Sequence, residues 1–443
     1  MLFANNPNHN IHRKRNKALG VPELIAIALG GMIGGGIFSV LGISVSMIGV
    51  FTPIAIILGG VIAALAAYSY VKLAVYYKDE GATYSFYKRT FPDSPFAASL
   101  IGWWVVFGYI STLALYSYTF ASYAISEFSF ANNEWIRKGV AGGVILVFTL
   151  INLWSVKGMG KIEDIMVYTK VVILIVISFV LMNHSQTTLP VLMQNNCEVS
   201  IFSVLIVASI TFVAYEGFQL VIHAINEMES PEKNIPKAIY SAIFLTILIY
   251  VVISLGAILA LPFAEIIENK EYALASGAGN ILGRWGTDLV ILGALLATSS
   301  AISGTIFGAS RLMAVIAKDG YLPGYLTRQI NTIPVNAIIS IATFAFLLVF
   351  VGSLELILEF GSITFLLVSL LMAYANFKIR NITDSSLILT LLAFSGLLCG
   401  TASIIYYELS SQPQQLIFIT GLYTLLTIGS WGYSKTRKDK SNN

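Results

Sequence analysis

The sequence predicts an all-α membrane protein that crosses the bilayer about twelve times. Three observations support this: 56% of the 443 residues are hydrophobic, only 11% are charged, and apolar runs long enough to span a bilayer recur throughout. Soluble domains carry roughly 25% charged residues, so lipid has to cover most of this apolar surface. The composition therefore excludes a chain of two or three soluble domains.

Each predicted span is an apolar helix, and the linkers between spans are too short to hold a soluble domain. The first five are Val21–Val45, Thr52–Tyr76, Phe96–Tyr123, Val140–Val156 and Ile165–Met182. The next five are Ile201–Ile225, Ile239–Leu261, Leu289–Ala317, Val335–Val351 and Leu356–Phe377. The last two are Ile388–Tyr407 and Leu416–Tyr433. We expect span 1 to be retained, because its apolar run is too long for a signal-peptide core.

The basic residues predict the orientation. Lys and Arg concentrate in the N-terminal segment, in alternate linkers and in the C-terminal tail. The intervening linkers hold only Arg137, Lys138, Lys270 and Arg284. Because cytoplasmic linkers carry the excess of basic residues, both termini are predicted to be cytoplasmic. The compact chain with short termini leads us to expect a prokaryotic cytoplasmic (inner) membrane.

Two spans are interrupted at corresponding places, span 1 by the glycines of Gly30–Gly36 and span 6 by Ala214–Gly217. An inverted repeat of five plus five spans predicts a broken helix at the start of each half. We therefore divide the chain into a cytoplasmic segment 1–20, a first repeat 21–194, a second repeat 199–380, two further spans over 386–433 and a cytoplasmic tail 434–443.

The glycine-rich break has two interpretations. Free amides at a broken helix end attract an anion such as a carboxylate, whereas small residues also let helices pack closely. The matching break in span 6 favours a substrate site. Its candidate residues are Met32, Ile33, Gly34, Gly35, Gly36, Val213, Ala214, Tyr215, Glu216 and Gly217.

Two of the ionisable residues inside predicted spans are candidates for function. Glu216 could accept an ammonium group, bind a proton or pair with a lysine, or it could be a protonated acid that only ties spans together. Lys170 in span 5 either reaches back to the cytoplasmic interface or is buried, where it could gain and lose a proton.

Hydroxyl and aromatic residues complete the candidates. Ser299 and Ser300 in span 8 could offer hydroxyls to an ion or to the span-5 lysine, or bond to their own helix backbone. Tyr109 and Tyr116 in span 3 and Phe212 in span 6 are candidate gating residues, although packing explains many membrane aromatics.

Several motifs of other protein classes are absent from the sequence. It contains no P-loop, no HExxH or Cys–His metal set, and no periodic arginines of a voltage sensor. We expect no direct ATP drive, no cofactor, no metal, no nucleic-acid partner and no enzyme activity.

In the linker after span 6, Pro231 and Pro236 are expected to break helix.

The motifs, taken in order, resemble those of the amino acid–polyamine–organocation (APC) superfamily of transporters. Gly30–Phe38 is similar to its G-x-I-G-x-G-I-F signature, and Ala214–Phe218 is similar to its span-6 pattern. Gly81–Tyr84 resembles the motif after span 2, and Ala317–Pro323 resembles the motif after span 8. The resemblance covers nearly the whole chain and is closest to prokaryotic proton-coupled, sodium-independent amino acid carriers.

The resemblance implies a LeuT-like inverted-repeat fold that carries amino acids by alternating access. It implies that amides near Gly35 and Gly36 meet the substrate carboxylate. The carbonyls implied to meet its ammonium are those of Met32, Val213, Ala214 and Glu216. It also implies that Lys170 is the proton-linked residue, with the hydroxyls of Ser299 and Ser300 facing its site.

The expected partners are an amino acid, a proton and the lipid bilayer. No disulfide-linked accessory subunit is expected, because Cys197 lies in a different linker from the one used by heteromeric relatives. Glu216 stands where several relatives have an apolar residue, so it either favours a cationic substrate or serves the proton. Symport is the expectation, and the alternatives are an amino acid or amine exchanger without net proton drive and a transporter-like nutrient sensor.

Overall fold

The computed structural model describes residues 19–154, 159–185, 188–189, 199–330 and 332–441. Within these ranges every predicted span is helical, as one helix or as a broken pair of helices. The prediction of an all-α, multi-pass protein is therefore confirmed. Most of the N-terminal segment 1–20 and Cys197 lie outside the described residues.

The first half of the chain begins with span 1, which is broken into two helices. These are α1 (Val21–Met32) and α2 (Gly36–Ile48). The helices that follow are α3 (Thr52–Tyr77), α4 (Ala82–Thr90), α5 (Pro95–Ala124), α6 (Glu134–Trp154) and α7 (Met159–Asn183). Glycine at two of the three non-helical positions explains the break, since each glycine costs about 1 kcal/mol relative to alanine in a helix.

The second half begins with span 6, which is broken in the same way. Its parts are α8 (Ile201–Ile210), a 3-10 turn (Thr211–Tyr215) and the short α9 (Leu220–His223). The next helices are α10 (Pro231–Ala260), α11 (Phe263–Glu268), α12 (Ala273–Leu282) and α13 (Arg284–Lys318). The last are α14 (Val335–Val351), α15 (Leu354–Lys378), α16 (Leu387–Ser411) and α17 (Pro413–Ser441).

Ten helices of the described chain are long and apolar enough to cross a membrane. The continuous stretch Gly36–Tyr77 counts once among them, although it contains the second half of span 1 and all of span 2. The 17-residue α14 falls below that length and is the predicted span 9. The helices therefore match the predicted series of spans.

One local expectation was wrong. Pro231 is the first residue of α10 and Pro236 lies inside that helix, so neither proline ends it. The first residue of a helix does not use its amide hydrogen in the helix, so a proline fits there. Pro236 removes one backbone hydrogen-bond donor, and water can bond to the carbonyl group that loses this partner because the position is near the polar start of the helix. The linker between spans 7 and 8 folds into α11 and α12.

Candidate substrate site at the two helix breaks

The two helix breaks pack directly against each other. A Cβ atom added at Gly217 would lie 2.4 Å from the carbonyl carbon of Gly31, and one added at Gly36 would lie 2.8 Å from Cα of Ala214. Gly217 also has a φ of +129°, which side chains rarely adopt. The glycines thus permit close helix packing and main-chain unwinding at one place.

Unwinding frees main-chain groups at the centre of the protein. The Gly34 amide donates to the Met32 carbonyl at 3.0 Å instead of completing the α-helical bond to Gly30. Gly35 and Gly36 begin the next helix, and amides of a first helical turn have no partner within their own helix. The break therefore places acceptors and donors side by side.

Tyr250 of α10 joins the two breaks. Its hydroxyl oxygen lies 2.8 Å from the Met32 carbonyl and 3.2 Å from the Ala214 carbonyl, so one donor serves both acceptors. The side chain is buried. Sequence reasoning missed this residue, because a buried tyrosine hydroxyl usually needs a partner but the sequence does not show which tyrosines are buried or where their partners lie.

Glu216 lies just after the 3-10 turn, in extended backbone, and is 4% exposed. Its Oε2 atom accepts a hydrogen bond from Gln219 Nε2 at 2.7 Å. Its Oε1 atom has no hydrogen-bond partner among the described residues. The Gly217 amide donates to Gln219 Oε1 at 3.1 Å, so the glutamine orients the carboxyl group relative to the break.

The predicted gating residues surround the breaks. A Cβ atom added at Gly34 would lie 3.0 Å from the ring of Tyr116, so this ring lies directly over the span-1 break. Tyr109 reaches the side chain of Gln219 and therefore contacts the span-6 break. Phe212 is buried within the 3-10 turn itself.

Lys170 is fully buried rather than directed to the interface. Its Nζ atom donates to the carbonyl of Gly30 at 2.8 Å. In an unbroken α-helix the Gly30 carbonyl would accept a hydrogen bond from the Gly34 amide, but that amide donates to Met32 instead. The lysine therefore takes the place of a missing helix hydrogen bond, and α7 is held to the end of α1 at the site.

The two predicted serines differ in their environment. Ser299 is half-buried, whereas Ser300 is buried and its hydroxyl has no hydrogen-bond partner among the described residues. Ser300 precedes Ala301, whose side chain would lie 2.8 Å from a Cβ atom at Gly34. Helix α13 thus brings Ser300 to the neighbourhood of the span-1 break.

Ion pairs hold the ends of the helices together on both sides of the site. At one end they are Arg137–Glu271, at 2.5 Å, and Lys270–Glu355. At the other end they are Lys78–Glu232 and Lys88–Asp319, the latter at 2.6 Å. Together with the burial of both breaks, these pairs indicate a conformation that is closed at each end.

A multi-pass helical protein with two crossing broken helices and buried ionisable groups beside them has the construction of a secondary transporter. This arrangement defines a class, and comparison with known sequences identifies the family within it. The chain belongs to the amino acid permease family, whose model matches residues 19–382. The predicted membership of the APC superfamily is confirmed.

Individual relatives agree with this assignment. The chain is 32% identical to an uncharacterized protein of Methanocaldococcus jannaschii over 320 residues, 71% of this chain and 72% of that one. It is 28% identical to the inner membrane transport protein YbaT of Escherichia coli over 420 residues, 93% and 95% of the two chains. It is 26% identical to cationic amino acid transporter 7, chloroplastic, of Arabidopsis thaliana over 384 residues, 82% and 65%. The protein is a membrane transporter of amino acids and not an enzyme.

Proposed function

We propose that the protein is a proton-coupled amino acid symporter that works by alternating access, with Lys170 as its proton-binding residue. The hydrogen bond from Lys170 Nζ to the Gly30 carbonyl carries this proposal. It links a buried group that can gain or lose a proton to the main chain at the helix break.

The physical basis of coupling is the cost of a buried charge. An ammonium group without exposure to water is unfavourable unless hydrogen bonds or an opposite charge compensate it. A substrate carboxylate at the amides of Gly35 and Gly36 would bring such a charge into the same region. Substrate and proton would then favour each other's binding, which is thermodynamic coupling.

The substrate's ammonium group is assigned to the opposite side of the breaks. The carbonyls of Met32 and Ala214 accept from a common donor, which is the Tyr250 hydroxyl. Oε1 of Glu216 is a further acceptor close to the span-6 break. An amino acid's ammonium group, with three hydrogen-bond donors, suits this group of acceptors.

Both termini are proposed to be cytoplasmic, in a prokaryotic inner membrane, from the distribution of basic residues. The two repeats are proposed to be residues 21–194 and 199–380, because each begins with a broken helix. Rocking of one part of the bundle against the other would expose the breaks first outside and then inside.

Uptake by purified protein in liposomes tests the function. A panel of labelled amino acids is offered with an inward proton gradient and without sodium. We expect accumulation of at least one amino acid, and collapse of that accumulation when an uncoupler is added. Uptake that requires preloaded internal substrate and ignores the proton gradient would instead identify an exchanger.

Lys170→Ala should abolish proton-driven accumulation, because it removes the buried amine that is proposed to bind the proton, together with the bond of that amine to the Gly30 carbonyl. The matched control is Lys233→Ala, since Lys233 is exposed at the start of α10. Retained substrate exchange in the Lys170 variant would show that it still folds. Full uphill uptake by that variant would reject the assigned role.

A further inference from the structure

A second group of buried acids lies away from the helix breaks. Glu359 on α15 and Glu408 on α16 are 3% and 0% exposed. Their carboxyl groups lie within hydrogen-bonding reach of each other. No donor of the described residues bonds either carboxylate oxygen of Glu408 or Oε2 of Glu359.

The charged neighbours do not neutralise this pair. Glu355 lies one turn before Glu359 on the same helix and adds a third carboxylate. Lys270, from the linker between α11 and α12, is the cation that faces the group, and it already forms an ion pair with Glu355. Among the described residues, Tyr407 is the remaining titratable neighbour, and its neutral phenol offers no positive charge to the pair.

Two adjacent buried carboxylates cannot both remain ionised at an acceptable cost, because like charges repel strongly where water is excluded. One proton removes the conflict. A protonated carboxyl group is a donor, and the ionised partner offers it an acceptor. A shared proton would therefore satisfy oxygen atoms that otherwise have no donor.

We infer that Glu359 and Glu408 form a binding site for a single proton, separate from the helix breaks, that holds α15 to α16 in the closed protein. The site is built from two spans and is completed by the proton. It stands independently of the role assigned to Lys170.

The position of the pair connects it to the substrate site. One turn after Glu359, the Ser362 hydroxyl donates to the carbonyl of Ile210 at 2.6 Å. Ile210 is the last residue of α8 before the span-6 break. Loss of the proton would force α15 and α16 apart immediately beside this bond, so the site can make closure around the substrate depend on pH.

Infrared spectroscopy of the purified protein in lipid tests the site directly. We expect a band from a protonated carboxylic acid at neutral pH, and loss of that band as the pH rises. The measurement is made in a Glu216→Gln background, because that buried acid could give a band of its own. In this background the double variant Glu359→Gln, Glu408→Gln should lose the band at every pH, since paired amides replace the acid pair without charge. The matched control is Glu268→Gln in α11, because Glu268 is exposed.

A second readout is the melting temperature as a function of pH. The wild type should become less stable as the pair loses its proton, and the double variant should lose this part of the pH dependence. If the double variant fails to fold, Glu408→Gln alone should weaken or shift the band. Lys170→Ala should keep the infrared band. Failure of the proposed transport mechanism can therefore be distinguished from failure of the proton site at Glu359 and Glu408.

The inference is overturned if the band and the pH dependence survive in the glutamine variants. It is also overturned if the wild-type pair is ionised at neutral pH and sodium alone raises the melting temperature, since the occupant would then be a metal cation.

Discussion

At the scale of single residues, Tyr250 is the side chain that most directly ties the site together. Its hydroxyl lies between carbonyls of the two broken spans. A substrate ammonium group assigned to these carbonyls would compete with that hydroxyl. We therefore expect this residue to hold the two breaks together and to yield to a substrate that binds there.

Tyr250→Phe should destabilise the substrate-free protein by about 1–3 kcal/mol, the usual cost of leaving a buried acceptor without a donor, because the Ala214 carbonyl loses the Tyr250 hydroxyl while the Met32 carbonyl keeps the Gly34 amide. Saturating substrate should recover part of the loss, because its ammonium group supplies new donors. Melting temperatures with and without substrate measure both effects. Tyr168→Phe is the control, since Tyr168 is exposed on α7, and an unchanged melting temperature for Tyr250→Phe contradicts the prediction.

Glu216→Gln tests which task the buried carboxyl group performs. If it binds a cationic substrate, the variant should lose its preference for that substrate while keeping the pH profile. If it serves the proton, the pH dependence of uptake should flatten instead. Competition assays at several pH values separate these results, with Glu127→Gln in an exposed linker as control. No change in either property would make Glu216 structural.

The residues that sequence analysis found are those that depart from the apolar pattern. Gly34, Glu216 and Lys170 were all visible in this way. Tyr250 and the Gln219 contact were missed, since both depend on contacts through space that a single sequence does not encode. Glu408 was missed for a simpler reason, because the predicted span 11 ended at Tyr407, one residue too early.

At the scale of helices, hydropathy predicted the spans well because apolar length is a direct requirement of the bilayer. It could not predict α11 and α12, which lie in a linker and owe their order to packing. Gly42 of α2 meets the backbone of Lys270 there with no room for a side chain. Such a fit is set by tertiary structure and leaves only a weak trace in composition.

Gly217→Ala is the sharpest test of the crossing. It adds a methyl group 2.4 Å from the Gly31 carbonyl carbon and forces alanine into a φ of +129°. The backbone conformation alone costs about 1–3 kcal/mol. We expect a large fall in melting temperature and loss of uptake. Gly421→Ala, with nothing within 4 Å, is the control and should be neutral. Equal behaviour of the two variants would exclude a tight crossing.

At the scale of the whole molecule, the proposed orientation can be tested by labelling. In a variant without its two cysteines, Ser129→Cys should react with an impermeant maleimide in intact cells, because the linker after span 3 is proposed to be external. Asn381→Cys, after span 10, should react only when the cells are permeabilised. Both positions are exposed. The reverse pattern would invert the proposed topology.

The main-chain contact between Gly31 and Gly217 also limits how the molecule can move. With no side chain between them, the two backbones cannot slide past each other without collision. We therefore expect spans 1 and 6 to move together as one rigid body. The changes of conformation that transport requires are then expected where this body meets its neighbours, at longer side chains that can exchange rotamers.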